Sequence, residues 1–189
     1  TMGLPRVEEI FEARLPRNPA IISDVDGDVT SIEDQGKQKV IKIKVASASS
    51  KITDAEEREI ALPPLVASFI DSGDKVYRGQ QLSEGHIDLR ELFRITGEDK
   101  AAVTRYIIRE IKNVYFTAGE GINDKHVELI CRQMFSRVRI IDPGDTTLLA
   151  GDILELSRVL DENDRVASQK LKPSSFEQML LGITKVALT

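Results

Sequence analysis

The amino-acid sequence predicts an α+β chain built from a small β-barrel or barrel-sandwich hybrid, an α-helical hairpin and short flanking helices. In residues 39–45, apolar side chains alternate with lysines, which is typical of a strand with one buried face. The pattern Ile-Asp-x-Gly-Asp occurs at residues 70–74 and again at 141–145, and each copy predicts a tight turn between short strands. Between the two copies, apolar residues recur at helical spacing in two segments. Strands on both sides of a helical pair indicate a mixed fold.

The N-terminal part of the chain predicts one short helix followed by strands. Pro5 suits the first turn of a helix over residues 6–14, because the missing N–H of proline is not needed there. Two further prolines, at positions 16 and 19, end this helix. The elements expected next are a strand at residues 20–25, a turn at Gly27, a strand at 39–45, a loop at 47–57 and strand candidates at 59–62 and 65–70.

The central part of the chain predicts three helices. Asp88 with Glu91 three residues later is a capping-box pattern that opens a short helix. Asp99 is expected to cap a longer helix, and Asn123 or Asp124 a third one. Because the link between the second and third helices is short, they are predicted to form an antiparallel pair.

These elements divide the chain into five predicted segments. They are a helix and linker at 1–19, a β-barrel-like domain at 20–87, a helical region at 88–140, a second β-hairpin and a polar loop at 141–172, and an apolar segment at 173–189. Because a domain seldom ends inside an apolar segment, we expect the chain to be a piece of something longer.

Composition excludes several classes of protein. The net charge of −5 means that the chain as a whole does not attract nucleic acid. No apolar run is long enough to span a bilayer and no N-terminal signal is present, so a cytoplasmic protein is predicted. Basic residues do cluster locally, on the predicted polar sides of the two long helices: Arg105, Arg109, Lys112, Arg132, Arg137 and Arg139. They indicate either a solvated face or a face that contacts phosphates.

The stretch Ser-Asp-Val-Asp-Gly-Asp at residues 23–28 resembles the aspartate loops of phosphatases, calcium sites and nucleic-acid polymerases. No strand–helix alternation follows it, and the twelfth residue from Asp24 is Gln35, where a calcium loop needs a glutamate. A solvated β-turn is therefore the favoured interpretation. The two histidines and the single cysteine have no metal-ligand spacing, and nothing pairs a nucleophile with a base. We predict no catalytic residue and no metal or cofactor in this chain.

Four segments resemble one known family. They are "GLPRVEEIFEAR" at 3–14, "AVTRYIIREIKNVY" at 102–115, "INDKHVELICRQMFSRVRIIDPGDT" at 122–146 and "LLGITKVAL" at 180–188. In this order they resemble the C-terminal portion of the beta-prime subunits of bacterial multisubunit DNA-directed RNA polymerases. The resemblance implies that the first segment closes the mobile trigger loop, that the following region forms the jaw beside downstream duplex DNA, and that the last segment opens a switch at the clamp base.

The same resemblance implies which partners the chain has and that the catalytic metal site lies outside it. The partners would be the alpha, beta, omega and sigma subunits, downstream duplex DNA and protein regulators, in the cytoplasm and at the nucleoid. The whole enzyme would use magnesium, but its metal-binding aspartates would lie upstream of Thr1. The isolated chain is thus expected to be catalytically inactive, and Asp24 does not inherit a metal role.

Individual residues follow from the resemblance and from the charge pattern. Lys185 matches a switch position near the DNA backbone, and Arg6 and Glu9 match positions that anchor the trigger-loop base, although ordinary helix packing explains these two equally well. The candidates for DNA contact are Lys185, Arg132, Arg137, Arg105 and Arg109. In the alternative function, an acidic face that includes Asp24 and Glu57 docks a transcription regulator.

Overall fold

The computed structural model describes residues 1–46 and 56–189, so most of the loop predicted at 47–57 lies outside the described residues. The helices are α1 Leu4–Phe11, α2 Leu89–Ile95, α3 Lys100–Thr117, α4 Asp124–Met134, α5 Leu156–Ser168 and α6 Ile183–Leu188. The strands are β1 Gly27–Asp34, β2 Lys39–Val45, β3 Glu57–Leu62, β4 Lys75–Val76, β5 Arg137–Asp142, β6 Ile153–Glu155 and β7 Ser175–Gln178. The predicted α+β class is confirmed.

The described chain forms two compact units, one of residues 15–99 and one of residues 1–14 with 100–189. The unit of residues 15–99 contains a curled antiparallel half-barrel in the order β3-β2-β1-β4. Its core consists of Val29, Ile41, Ile43, Leu62, Ile70, Val76 and Leu82, all buried. The alternation predicted for residues 39–45 places Ile41 and Ile43 on the core side, because successive side chains of a strand point to opposite faces.

Three local expectations for this unit were wrong. Residues 20–25 form no strand: Ile22 makes only an isolated antiparallel bridge with Gln81. Residues 65–70 likewise make only the bridge of Ser68 with Ser83. Leu65 has a φ of 68°, a left-handed turn conformation that does not continue a strand. Gly27, the expected turn, instead opens β1, where the close approach of the Lys44 carbonyl leaves no room for a Cβ.

The second unit combines helices with a three-stranded antiparallel sheet in the order β6-β5-β7. The helix pair α3 and α4 is as predicted, and the Asn123 side chain caps α4 by accepting a hydrogen bond from the backbone N–H of Lys125 at 2.9 Å. The hairpin of β5 with β6 also confirms the strands expected around the second Ile-Asp-x-Gly-Asp pattern.

The polar loop expected up to residue 172 was wrong for most of its length, because Leu156–Ser168 form α5. Val159 and Val166 lie two turns apart on this helix and are both fully buried. Val159 packs with Val138, Ile140 and Leu148 in the core of this unit. Leu156 packs against the same core. We therefore attribute the stability of α5 to its packed apolar face, because tertiary packing supplies most of the stability of such a helix.

Strand β7 completes the sheet by pairing with β5 along the edge opposite β6. In the part of the chain that the structure describes, no helix combines the length and the apolar character needed to cross a membrane.

Candidate nucleic-acid interface and its helical support

Arg6 of α1 lies at the centre of a buried charged cluster. Its side chain is 4% exposed, and its Nη1 donates to Glu9 Oε1 at 2.6 Å. Its Nη2 donates to the Tyr106 hydroxyl at 3.1 Å and lies 3.6 Å from Glu110 Oε2, both on α3. Its Nε is buried without a hydrogen-bond partner among the described residues. The structure thus brings Arg6 and Glu9 together, and Arg6 joins α1 to α3.

Tyr106 and Glu110 are the members of this cluster that the sequence did not single out. Both lie on the same face of α3, one helical turn apart. Tyr106 is buried, and Glu110 keeps 20% of its side-chain surface exposed. A buried arginine needs nearby acceptors, but sequence alone does not indicate which of the many glutamates supplies them.

Arg105 and Arg109 are exposed on α3 and lie one turn apart. The Arg109 guanidinium lies 5.3 Å from the centroid of the Tyr106 ring, a distance at which the ring face attracts a cation. Lys112, one turn further on, pairs with Asp124 at 3.0 Å. This helix face therefore presents two arginines to solvent, one of them held over an aromatic ring.

Arg132 and Arg137 are in different surroundings. Arg132 is exposed on α4 and lines a groove of about 650 Å³ together with Lys100 and Phe135. Arg137, expected on the polar side of a helix, instead begins β5 and is half-buried. Its Nη2 donates to the Val186 carbonyl of α6 at 3.4 Å, and its Nε is buried without a partner in the described residues. Arg137 therefore contacts α6, whereas Arg132 faces solvent.

Arg139 also lies on β5 rather than on a helix and forms an ion pair with Glu177 of the neighbouring strand β7. Lys185 is exposed in α6. Of the predicted DNA-contact residues, Arg105, Arg109, Arg132 and Lys185 are thus exposed at the surface of this unit.

Asp24 and Glu57, the predicted docking residues, are both hydrogen-bonded within the unit of residues 15–99. Asp24 accepts two hydrogen bonds from Arg58, from Nη2 at 2.6 Å and from Nε at 3.3 Å. This contact raises the pKa of Arg58 above its ordinary value. Glu57 accepts from the Thr30 hydroxyl at 3.3 Å. The charge of Asp24 is therefore offset by a neighbouring cation.

The acidic residues of β1 and β3 are also interleaved with lysines of β2. Lys44 lies opposite Asp28 on one side and Glu57 on the other. Lys42 donates to Glu33 at 2.8 Å, and this hydrogen bond lowers the pKa of Glu33. Because opposite charges alternate across the strands, this surface is not uniformly acidic. A surface of mixed charge does not favour the docking of a basic regulator.

Two other residues with side chains that could react, Asp26 and Cys131, belong to different units of the chain. Asp26 accepts a hydrogen bond from the backbone N–H of Arg78 at 2.7 Å. Burial raises the pKa of the Cys131 thiol to about 11, which keeps it protonated and unreactive. Within residues 1–46 and 56–189, no three histidine, cysteine, aspartate or glutamate side chains are grouped so that they could hold a metal ion.

The fold and the charged side chains together define a mixed α+β chain in which a buried arginine joins two helices and exposed cations lie on α3, α4 and α6. Residues 5–188 match the family model described as RNA polymerase Rpb1, domain 5. The chain belongs to this family.

Similar proteins from three bacteria agree with the family assignment. The chain is similar to the DNA-directed RNA polymerase subunit beta' of Caldicellulosiruptor saccharolyticus, with 43% identity over 189 residues. The subunits of the same name from Shouchella clausii and Bordetella pertussis are 39% and 38% identical over 188 and 190 residues. Each alignment covers 100% of this chain but only 13% to 15% of the relative.

Proposed function

We propose that this chain is part of the beta-prime subunit of a bacterial DNA-directed RNA polymerase and forms the jaw that helps to hold downstream duplex DNA. The observation that carries the proposal is similarity along the whole chain to proteins named as that subunit. In the assembled enzyme the chain would work with the alpha, beta, omega and sigma subunits, and magnesium would act at a centre outside this chain.

Holding DNA without selecting a sequence requires cations that reach phosphate oxygens. Arg105, Arg109, Arg132 and Lys185 are exposed and suit this task. Arg137 suits it less well, because one of its nitrogens donates to the backbone of α6. The net charge of −5 opposes DNA binding by the chain alone, so the contact should be weak and strongly dependent on salt.

The test is a titration of fluorescently labelled duplex DNA with the 189-residue chain at about 50 mM and about 200 mM salt. Arg105→Glu with Arg109→Glu should weaken binding, and the slope of log affinity against log salt should become shallower by about 0.9 for each lost contact. Arg17→Glu with Lys37→Glu, at two exposed positions of the other unit, is the control matched in charge. Wild-type protein that does not bind at low salt, or reversal of Arg105 and Arg109 no more harmful than reversal of Arg17 and Lys37, would contradict the proposal.

A further inference from the structure

Glu12, the residue that ends α1, contacts the beginning of α6 across almost the whole length of the chain. Its Oε1 accepts a hydrogen bond from the Thr184 hydroxyl at 2.5 Å, and its Oε2 lies 3.4 Å from the Thr184 backbone nitrogen as a second, longer hydrogen bond. Helix α6 has only six residues. A helix of this length is not stable by itself in water, so contacts from elsewhere must hold it.

Gly182 provides a second contact between the same two segments. It is buried, and a Cβ built on it would lie 2.5 Å from the backbone carbonyl oxygen of Glu12. Only glycine permits the two backbones to approach this closely. At the other end of α6, Arg137 donates to the Val186 carbonyl. The short helix is therefore held at its start by Glu12 and near its end by Arg137.

Lys185 lies between these two contacts and directly follows Thr184. We propose that Glu12 is a positioning residue for Lys185: by binding Thr184 it fixes the backbone from which the lysine reaches a DNA phosphate. This inference rests on the proposed function, because it takes Lys185 to contact DNA. A lysine on a fixed helix loses less conformational entropy on binding than one on a frayed segment, so loss of the Glu12 contact weakens the DNA contact without removing a cation.

The first experiment measures whether Glu12 holds α6. Hydrogen exchange of the peptide covering residues 180–189 is compared for the wild-type chain, Glu12→Ala, Thr184→Val and Thr184→Ser. Thr184→Val loses the bond from the hydroxyl and should speed exchange in this peptide about two- to tenfold. Glu12→Ala loses both bonds from Thr184 and should speed exchange at least as much. Thr184→Ser keeps the hydroxyl and should exchange nearly as the wild type does. Glu8→Ala is the control, because Glu8 is an exposed glutamate of the same helix whose side chain forms an ion pair with Arg14.

The second experiment titrates the same variants with labelled duplex DNA at low salt. Glu12→Ala and Thr184→Val should bind about two- to tenfold more weakly, and Thr184→Ser should bind as the wild type does. Loss of a negative charge should by itself strengthen DNA binding, and Glu8→Ala measures that effect. Weaker binding by Glu12→Ala therefore cannot be a simple charge effect.

Lys185→Glu separates the two ways in which the idea can fail. If Lys185→Glu weakens binding while Glu12→Ala and Thr184→Val behave like Glu8→Ala, the positioning role is refuted and the DNA contact stands. If Lys185→Glu leaves DNA binding unchanged, the contact itself is wrong, and the positioning role for it is refuted as well. If Glu12→Ala speeds exchange in residues 180–189 but leaves DNA affinity unchanged, Glu12 stabilises α6 without positioning Lys185 for DNA, and the proposal is refuted.

Discussion

Replacing Arg6 with methionine should lower the stability of the unit formed by residues 1–14 and 100–189 by about 3 kcal/mol. Methionine fills a similar volume, so the change removes the charge and the hydrogen bonds more than the packing. Glu9 and Glu110 would then lose the Arg6 guanidinium while only 13% and 20% of their side chains are exposed.

The magnitude follows from this partial burial. Removing one partner of a fully buried ion pair costs about 3–5 kcal/mol, because the other charge stays away from water. The two glutamates keep some contact with solvent, and Glu9 retains a hydrogen bond from the Thr1 hydroxyl at 2.9 Å. The lower end of the range, about 3 kcal/mol, is therefore expected.

The loss of stability can be measured by urea unfolding, with tyrosine fluorescence reporting on the unit that contains Arg6. The chain has no tryptophan and three tyrosines, of which Tyr77 belongs to the unit of residues 15–99 and Tyr106 and Tyr115 to the other. In a Tyr77→Phe background the signal thus comes from the unit that contains Arg6. With a slope of about 2 kcal/mol per molar urea, the midpoint should fall by about 1.5 M.

Arg14→Met provides the matched comparison. Arg14 pairs with Glu8 at 2.9 Å, but both side chains are more than half exposed, at 58% and 62%, so water replaces the lost contact. Its removal should cost less than about 1 kcal/mol. If Arg6→Met lowers the midpoint no more than Arg14→Met does, the argument from burial is refuted. Recovery of stability when Glu9→Gln and Glu110→Gln are added to Arg6→Met would support it further.

Three other predictions concern different parts of the chain. Gly27→Ala should destabilise the half-barrel by about 1–3 kcal/mol or more, because the new Cβ overlaps the Lys44 carbonyl; unaltered amide exchange in residues 27–45 would contradict this. Glu162 should titrate near pH 2, because a hydrogen bond from Arg165 lowers its pKa from 4.5 to about 2. Its contribution to stability is thus complete above pH 4.5 and is lost as the pH falls through about 2; carboxyl NMR would show a midpoint at 4 or above if this were wrong. Cys131 should react with a thiol reagent at pH 8 about a hundredfold more slowly in the folded chain than in urea, since burial raises its pKa from 9.0 to about 11, and equal rates would refute this.

The sequence predicted the α+β class and the helix pair well, because these depend on local features. The apolar spacing along α3 and the side-chain cap at Asn123 act within one or two helical turns. The alternation in β2 is equally local. The resemblance of four separated segments to one family is confirmed at the level of the family, whereas the jaw and DNA-holding roles stay predictions.

Local patterns did not predict where residues 20–25 would go or that α5 would form. A strand exists only when a second strand pairs with it, and residues 20–25 find only an isolated bridge. The few apolar residues of α5 form a helix because the sheet of β5 covers two of them. Arg137 was placed on a helix face because the end of α4 could not be located from periodicity alone.

By itself, the sequence determined the α3–α4 helix pair, the strand at residues 39–45 and the family, since these depend on patterns of neighbouring residues. Only the tertiary structure decided that Arg6 is buried against Glu110 and Tyr106, and that Glu12 binds Thr184. These contacts join residues about a hundred or more positions apart, and they form only after packing has brought their helices together. The physical reason is that closing such long loops costs conformational entropy, and only the packing of the assembled core offsets this cost. A local pattern of side chains therefore does not show which distant residues come into contact.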